Sequence, residues 1–317
     1  MMDVLVAVTG ASGFIGGRVA DTLAAHGHEV VGFGRRPLDN VAGRGWVGYR
    51  SWDLTSGPLA EESTPDAVVH CAGAVADWGP SSLFERTNVG GTRAVLASFP
   101  RSRRFVYVST ASVYDPGRPK RFITEDAPLP TRYLNAYSSS KRRAESLVTA
   151  DRPDAVVLRP HAVYGPGDPT LLPRLLAARR RGRLLGLGSG RNHISLTHVD
   201  NLVHAIELAI ASEARGIFNV ADAETPTLRQ ILATVDRALG GRGVVFIPKL
   251  LASGASVLCE SIARLRGTSQ APMLTRYIVA QLTSEYTLDI DRARRILGYR
   301  PFRGYDEAME EAINERR

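Results

Sequence analysis

The sequence has few of the residues that would cross-link it or hold a metal ion. Its 317 residues include only two cysteines, Cys71 and Cys259, which are too few for a disulfide framework. No group of cysteine, histidine and carboxylate residues has the spacing of a metal site. These absences exclude a disulfide-rich secreted scaffold and a zinc module, and we expect a protein of the reducing cytoplasm.

Long hydrophobic runs are also missing. The best candidate, Val244 to Ala263, is interrupted by Pro248, Lys249 and Glu260, so we expect no membrane span. We expect no signal peptide either, because Asp3 stands near the start and the apolar run after it ends at a glycine turn. The composition, 44% hydrophobic and 23% charged, is that of a globular protein with one large core, or a main domain and a smaller companion.

The net charge of +8 raises the question of nucleic acid binding. The basic residues, however, stand in short, separate clusters at positions 35–36, 101–104, 120–121, 142–143 and 179–183. Separate clusters of this kind are typical of solvated faces rather than of one continuous basic stripe. We therefore expect no nucleic acid partner.

Strand-like and helix-like segments alternate in the first half of the chain. Apolar runs predict strands over residues 4–8, 29–33, 66–71, 104–109 and 155–158, and helical spacing predicts helices over 14–26, 81–98 and 137–150. This alternation predicts an α/β protein built on a doubly wound, Rossmann-type parallel sheet.

The pattern changes after position 160. It predicts helices over 171–181, 197–211, 228–239 and much of 249–282, a strand over 216–220, and a loop or short strand over 182–190. We expect residues 1–165 to form a dinucleotide-binding domain, with 196–222 returning to its sheet. Residues 166–195 and 223–317 are then expected to form a smaller, mostly helical, substrate-binding cap.

A glycine-rich turn joins the first predicted strand to the first predicted helix. Gly10, Gly13 and Gly16 are spaced three apart, with Ser12, Phe14 and Ile15 completing the turn. Such glycines permit a tight turn and let the backbone approach a pyrophosphate at the helix N-terminus. A plain structural turn would need the same residues, but the strand–turn–helix context favours a dinucleotide site.

The end of the second strand bears on the choice of cofactor. Arg35 and Arg36 stand where an NAD enzyme usually places an acidic residue for the ribose hydroxyls, and the nearest acid is Asp39. Two arginines can clamp a 2′-phosphate, so we favour NADP(H) over NAD(H), with a basic surface loop as the alternative. Asp53 and Leu54, after the third strand, are expected at the adenine, or else in an exposed turn.

Tyr137 and Lys141 are four residues apart in a predicted helix, which places both side chains on one face. An ammonium beside a phenol favours the phenolate, so we expect the pKa of Tyr137 to be lowered and the phenol to exchange a proton readily. The pair is common by chance and gains weight only from the turn that precedes it.

Taken in order, these motifs resemble the extended short-chain dehydrogenases/reductases over nearly the whole chain. The matching segments are Gly10 to Gly16, Asp53-Leu54, His70 to Gly73, Asn88 to Thr92, Val108 to Tyr114, Tyr137 with Lys141, Arg159 to Pro166, Thr197 to Asn201 and Leu297 to Pro301. The resemblance implies that Tyr137 is the general acid or base, that Lys141 lowers its pKa and binds the ribose, and that Thr110 donates a hydrogen bond to the substrate oxygen. It also implies cofactor contacts at Cys71, Ala72, Gly73, Asn88, Val108, Pro160 and Val163. Each catalytic residue has an ordinary structural interpretation when it is taken alone.

The branch of the family is indicated by further segments. Residues 74–79, 161–168 and 171–174 resemble the 3β-hydroxysteroid dehydrogenase and β-keto-acid reductase branch, and Ala111-Ser112 lacks the acidic pair that the dehydratases carry. The implied substrate contacts are Ala74, Trp78, Ser112, His161, Arg191 and His193, although His161 is equally well explained as a satisfied loop histidine.

Together these features predict NADP(H)-dependent reduction of a small-molecule ketone, or oxidation of the matching secondary alcohol. A nucleotide-sugar 4-epimerase or 4-ketoreductase is the alternative enzyme, weakened by a histidine where that class tends to place a diphosphate-binding arginine. A non-catalytic, cofactor-sensing regulator is the alternative of another class. The resemblance also implies a homodimer formed through the helices at 81–98 and 137–150.

Overall fold

The computed structural model describes residues 4–37, 39, 43–60, 64–114, 120–268 and 270–315. Its strands, in chain order, are β1 (Leu5–Thr9), β2 (Glu29–Gly34), β3 (Gly48–Ser51), β4 (Ala67–His70), β5 (Arg104–Val108), β6 (Lys120–Ile123), β7 (Val156–Pro160), β8 (Val163–Tyr164), β9 (Arg179–Arg180), β10 (Arg183–Leu187), β11 (Thr197–His198), β12 (Gly216–Val220), β13 (Val244–Ile247) and β14 (Tyr286–Leu288).

The α-helices are α1 (Phe14–Ala25), α2 (Ser81–Phe84), α3 (Gly91–Ser98), α4 (Ala136–Asp151), α5 (Leu171–Ala177), α6 (Val199–Ala211), α7 (Leu228–Ala238), α8 (Lys249–Leu265), α9 (Arg276–Thr283) and α10 (Tyr305–Asn314). A π-helical segment, Glu85–Gly90, joins α2 to α3, so that residues 81–98 form one helical run. A second π-helical segment, Ala293–Leu297, and two 3₁₀ turns, Leu54–Ser56 and Ala111–Val113, complete the helical elements.

Seven parallel strands form the central sheet, in the order β12-β7-β5-β4-β1-β2-β3. The chain runs outward from β1 to β3 on one side and from β4 to β12 on the other. The strand order therefore reverses between β1 and β4, where Thr9 pairs with His70 at the carboxyl ends. In doubly wound sheets this reversal opens the crevice that binds ligands. The predicted fold class is confirmed.

Helices cover both faces of the sheet. One face packs against α1 and α6, through residues such as Leu23 and Ile206, and the other packs against α3 and α4, through residues such as Val95 and Val148. The central strands β4, β5 and β7 are buried along their whole length. Burial on both faces explains why these strands are mostly apolar in the sequence, with the buried His70, Arg104 and Arg159 as exceptions.

The later part of the chain adds a second core beside the carboxyl edge of the sheet. Residues of α5, α7, α10 and β10 pack together, and α8 and α9 pack on each other next to them. The helix predicted over 171–181 is wrong at its end. It stops at Ala177, because Arg181 and Gly182 both have positive φ and turn the chain into the β9–β10 hairpin.

Helix α8 occupies most of the stretch that was the longest apolar candidate in the sequence. It buries Ala252, Ser256, Glu260 and Ala263 and leaves the side chains of its opposite face exposed. Within the described ranges, no helix combines the length and the apolar character that a bilayer crossing requires.

Candidate active site

The turn after β1 is shaped by close backbone approaches. Gly10 has φ +74°, and a Cβ there would lie 2.9 Å from the Cα of Ala72 in the loop after β4. A Cβ on Gly16 would lie 2.3 Å from the carbonyl oxygen of Gly10. Gly13 precedes α1 without a side-chain cap, and it is exposed between the partly buried neighbours Ser12 and Phe14. Backbone N–H groups therefore line this opening, as a phosphate site requires.

The loop after β4 forms the facing wall. Asn88 holds it: its Oδ1 accepts from the N–H of Ala74 at 2.7 Å, and its Nδ2 donates to the carbonyl of Ala74 at 3.1 Å and to Ser140 Oγ on α4 at 2.8 Å. Gly73 leaves room for that amide, since a Cβ there would lie 3.1 Å from Asn88 Oδ1. Burial raises the pKa of the Cys71 thiol to about 12, so Cys71 is an inert wall residue.

The ends of β2 and β3 carry the residues predicted to select the cofactor. Arg35 and Arg36 are exposed directly after β2, and the carbonyl of Arg36 accepts from Tyr49 Oη at 2.8 Å. Asp53 caps the turn that contains the buried Leu54. Two hydrogen bonds from Thr55 lower the pKa of Asp53, and the charge of Arg35 lowers it further.

Thr110, Tyr137 and Lys141 meet at the carboxyl end of β5. Thr110 follows this strand, and α4 carries the other two after Asn135, whose Oδ1 accepts from the N–H of Ser138 at 2.8 Å. Lys141 Nζ donates to the carbonyl of Val108 at 2.8 Å and lies 4.3 Å from the centre of the Tyr107 ring. Burial lowers the pKa of Lys141 to about 7.

The prediction of a lowered pKa for Tyr137 is wrong. Its pKa is raised, chiefly because burial disfavours the phenolate and also because the phenol of Tyr277 lies nearby. A hydrogen bond with Thr110 opposes this rise only in part. The prediction had the wrong sign because it considered the charge of Lys141 without the desolvation of the phenol.

A buried ion pair anchors α4 to β7, and none of the sequence motifs predicts it. Glu145 lies one turn beyond Lys141 and pairs with Arg159 of β7, and both side chains are almost fully buried. Ser109 Oγ donates to Glu145 at 2.8 Å, and Arg159 also donates to Tyr114 Oη at 2.7 Å. These bonds fix α4 against β5 and β7, and therefore fix Tyr137 and Lys141 against Thr110.

Of the predicted substrate residues, Ser112 is hydrogen-bonded to Thr110, whereas Arg191 and His193 are not. Ser112 lies beside Thr110, with 3.1 Å between their hydroxyl oxygens, and Trp78 donates to the carbonyl of Thr268, just after α8, at 3.3 Å. Arg191 is exposed, and its N–H donates to Ser189 Oγ. His193 is held by Glu285, to which its N–H donates at 2.6 Å. No hydrogen bond among the described residues joins Arg191 or His193 to Thr110 or Tyr137.

His161 lies in the loop between β7 and β8, directly after Pro160 and two residues before Val163. Both of its ring nitrogens already have protein partners: Nδ1 is 2.7 Å from the carbonyl oxygen of Ser195, and Nε2 is 3.0 Å from Gln281 Oε1. The ring also stacks on Tyr286 at 4.6 Å. The structure therefore agrees with the satisfied-histidine alternative rather than with a histidine pointing at the substrate.

Comparison with known proteins places the chain in a family. The model of the NAD dependent epimerase/dehydratase family matches residues 6–221. This chain belongs to that family. A 4-hydroxy-2-methyl-3-oxo-4-farnesyl-3,4-dihydroquinoline-1-oxide ketoreductase of Stigmatella aurantiaca is 33% identical, covering 92% of this chain and 90% of the relative. A 2-alkyl-3-oxoalkanoate reductase of Stenotrophomonas maltophilia is 30% identical, covering 96% and 97%.

Among solved structures, MoeE5 in complex with UDP-glucuronic acid and NAD superposes with a TM-score of 0.74 at 26% identity, covering 99% of this chain and 98% of that one. The predicted membership of the extended short-chain dehydrogenases/reductases is confirmed, and the protein is an NAD(P)-dependent oxidoreductase.

Two residues of the site were missed in the sequence. Tyr277 and Gln281 lie one turn apart on α9. The Tyr277 hydroxyl is 2.7 Å from Ser112 Oγ, and Gln281 Nε2 donates to that Tyr277 hydroxyl at 3.0 Å. No motif marks them, and they stand some 140 residues after Tyr137. Only their i, i+4 spacing could have suggested a shared face.

Proposed function

We propose that this protein reduces a ketone with NADPH, or oxidises the matching secondary alcohol with NADP, using Tyr137, Thr110 and Lys141. One observation carries the proposal: the buried Tyr137 phenol lies close enough to Thr110, at the carboxyl end of β5, for that hydroxyl to oppose the rise in the pKa of Tyr137, and both stand beside the glycine turn after β1. A neutral acid next to a hydroxyl donor is the arrangement that polarises and protonates a carbonyl oxygen.

The raised pKa of Tyr137 suits this role, because it keeps the phenol protonated at neutral pH and ready to give its proton to the ketone oxygen. Thr110 donates a hydrogen bond to the same oxygen. Lys141, with its ammonium at the carbonyl of Val108, is placed to hold the ribose of the cofactor. The nicotinamide, when bound, supplies the hydride.

The residues around the turn fit a dinucleotide. Side chains are absent where Gly10 and Gly16 approach other backbone, and the first N–H groups of α1 lie open beside Gly13. Arg35 and Arg36 favour NADP(H), since both are exposed where a 2′-phosphate would stand. The division into a dinucleotide-binding domain and a substrate-binding cap, the homodimer and the cytoplasmic location stay predictions.

The substrate is proposed to be a mainly apolar or mixed ketone, in line with the names of the two relatives and with Trp78 at the boundary of the cap. A nucleotide-sugar epimerase or 4-ketoreductase is the weaker alternative, because His193 is bound to Glu285 and is poorly placed to bind a diphosphate. A cofactor-sensing regulator would need no proton donor beside Thr110.

NADPH consumption with a panel of ketones tests the proposal. The parent should oxidise NADPH in proportion to the ketone reduced, whereas an epimerase would recycle its cofactor and a sensor would turn over nothing. Tyr137→Phe should lower kcat by about 10²–10⁴-fold, the usual contribution of a positioned acid, with NADPH binding retained. Tyr305→Phe, a phenol removed from α10, is the matched control and should keep the parent rate. A Tyr137→Phe protein that turns over near the parent rate would contradict the assignment.

The cofactor preference has its own test. Replacing Arg35 and Arg36 by alanine should weaken NADPH binding at least tenfold and leave NADH binding nearly unchanged, since each charge-assisted contact with a phosphate contributes about 1.5–3 kcal/mol. Arg103→Ala, which removes an exposed arginine before β5, is the control. Equal losses for both cofactors would refute a 2′-phosphate clamp.

A further inference from the structure

A chain of hydrogen bonds runs from His161 to Thr110 through the cap helix α9. His161 Nε2 is 3.0 Å from Gln281 Oε1, Gln281 Nε2 is 3.0 Å from Tyr277 Oη, and Tyr277 Oη is 2.7 Å from Ser112 Oγ. Ser112 Oγ is in turn 3.1 Å from Thr110 Oγ1. Every member can both donate and accept except at the far end, where the carbonyl of Ser195 only accepts.

That fixed end determines the direction of the whole chain. The carbonyl oxygen of Ser195 is 2.7 Å from His161 Nδ1, so Nδ1 carries a hydrogen in either charge state. With the amide of Gln281 placed as it is, Nε2 must also donate, and this arrangement describes the imidazolium form of His161. The hydrogens of the first two links then point outward, from His161 to Gln281 and from Gln281 to Tyr277. In the structure Thr110 donates to Ser112, so the outward order reaches Thr110 only if this last bond reverses.

A neutral His161 reverses this order. Its bare Nε2 can only accept, so the Gln281 amide turns over and presents its nitrogen to His161 and its oxygen to Tyr277. Tyr277 then donates to Gln281, Ser112 donates to Tyr277, and Thr110 donates to Ser112. The distances stay the same in both states, and only the direction of donation changes.

The direction matters at Thr110. When His161 is neutral, the Thr110 hydrogen is held by Ser112, and Thr110 must break that bond before it can donate to a ketone oxygen. When His161 is charged, Tyr277 donates to Ser112, so the Ser112 hydrogen can no longer go to Tyr277 and turns toward Thr110. The bond in which Thr110 donates to Ser112 is then replaced, and the Thr110 hydrogen is released to the substrate. The N–H of Ser112 donates to Thr110 Oγ1 at 3.1 Å in both states, so the oxygen itself stays in place.

We propose that Tyr277 is a positioning residue of the reductase site, which together with Gln281 and His161 sets whether Thr110 can donate to the substrate oxygen. The inference rests on the proposed function. It assigns the cap a part in the chemistry, since α9 contributes the two central members of the chain.

His161 is the group whose protonation changes the direction of the hydrogen-bond chain. His161 faces Tyr286, Ser195, Thr197 and Gln281, and no charged residue contributes to its pKa, which burial lowers. Tyr277 feels the charge of Asp77, but that carboxylate is paired with Arg174 and accepts from Thr275. The outward direction of donation is therefore populated only when the pH falls below the ordinary pKa of histidine.

The test is the pH profile of ketone reduction by the full-length protein at saturating NADPH. In the parent, kcat should rise by up to about tenfold as the pH falls through the His161 ionisation, the equivalent of one hydrogen bond of about 1.4 kcal/mol. Tyr277→Phe removes the hydroxyl that connects Gln281 to Ser112. The rise of kcat at acid pH should therefore vanish, with KM changed much less than kcat. Taking the ratio of parent to variant at each pH cancels the ionisations that both share.

Gln281→Glu, an isosteric change, separates positioning from packing. A carboxylate at position 281 accepts hydrogen bonds from both His161 and Tyr277. Thr110 therefore keeps donating to Ser112 and not to the ketone oxygen. Its kcat on the acid side should be about tenfold below the parent, while the pKa of His161, followed by the NMR signals of its ring protons, should rise. Tyr305→Phe should keep the parent profile.

Three results would overturn the inference alone. The first two are a parent-like acid step in Tyr277→Phe and parent-like acid-side reduction by Gln281→Glu. A His161 pKa that does not move in Gln281→Glu would also overturn it, because the chain would then not pass through that amide. If the parent reduces no ketone at any pH, the proposed function itself is wrong and the inference falls with it.

Discussion

Lys141 gives the sharpest quantitative expectation, because its ammonium is buried in the folded protein. Burial lowers its pKa to about 7, whereas a lysine in the unfolded chain titrates near 10.4. Above pH 7 the unfolded state therefore binds more protons than the folded state, so the free energy of unfolding should rise with pH. The gain begins near pH 7 and ends near pH 10.

The size of the effect follows from the two pKa values. Between pH 6 and pH 9.5 the Lys141 contribution should amount to about 3 kcal/mol, at about 1.4 kcal/mol for each pH unit in which the two states differ by a full proton. The hydrogen bond with the carbonyl of Val108 and the Tyr107 ring already compensate part of the burial. The figure is therefore the net effect that remains.

Urea unfolding of the cofactor-free protein at the two pH values measures this gain, with Lys141→Met as the variant. The difference between parent and variant isolates the ammonium, since all other ionisations are shared. Lys249→Met removes an exposed lysine at the start of α8 and should follow the parent at both pH values. If Lys141→Met shows the same rise with pH as the parent, the ammonium is not desolvated and the reasoning is refuted.

Two further expectations concern the support of the site. Glu145→Gln should destabilise the protein by about 3–5 kcal/mol in urea unfolding, because it leaves the buried guanidinium of Arg159 without its carboxylate. Glu213→Gln, in an exposed ion pair, is the control and should have almost no effect. Equal losses of stability in the two variants would contradict the argument. Gly16→Ala should cost about 1–3 kcal/mol by overpacking and should weaken dinucleotide binding, since its Cβ would lie 2.3 Å from the Gly10 carbonyl oxygen. Unchanged binding and thermal midpoint would contradict that expectation.

The central sheet was predictable because its strands carry their signal locally. A parallel strand buried on both faces is mostly apolar, as in β4 and in β7 apart from its buried Arg159, and the glycine turn marks where the first helix begins. The small strands were not predictable. β6 pairs with β14 and β8 pairs with β11, each with only two register pairs, so nothing in the neighbouring sequence identifies them.

The positions of Thr110, Tyr137 and Lys141 could be read from local motifs, but their protonation could not. Spacing on a helix determines which side chains share a face, whereas a pKa depends on everything that excludes water from the group. For Tyr137 that includes the phenol of Tyr277, which the fold brings in from a distant helix. The same holds for His161, whose partners on α9 become apparent only in three dimensions.

The low pKa of Lys141 also depends on a residue that touches neither substrate nor cofactor. Tyr137, Lys141 and Glu145 follow one another at four-residue spacing, so a carboxylate lies one turn from the ammonium and raises its pKa. That carboxylate is bound on its other side by Arg159 and Ser109. Burial is nevertheless the larger influence, so the pKa of Lys141 stays near neutral despite the carboxylate one turn away.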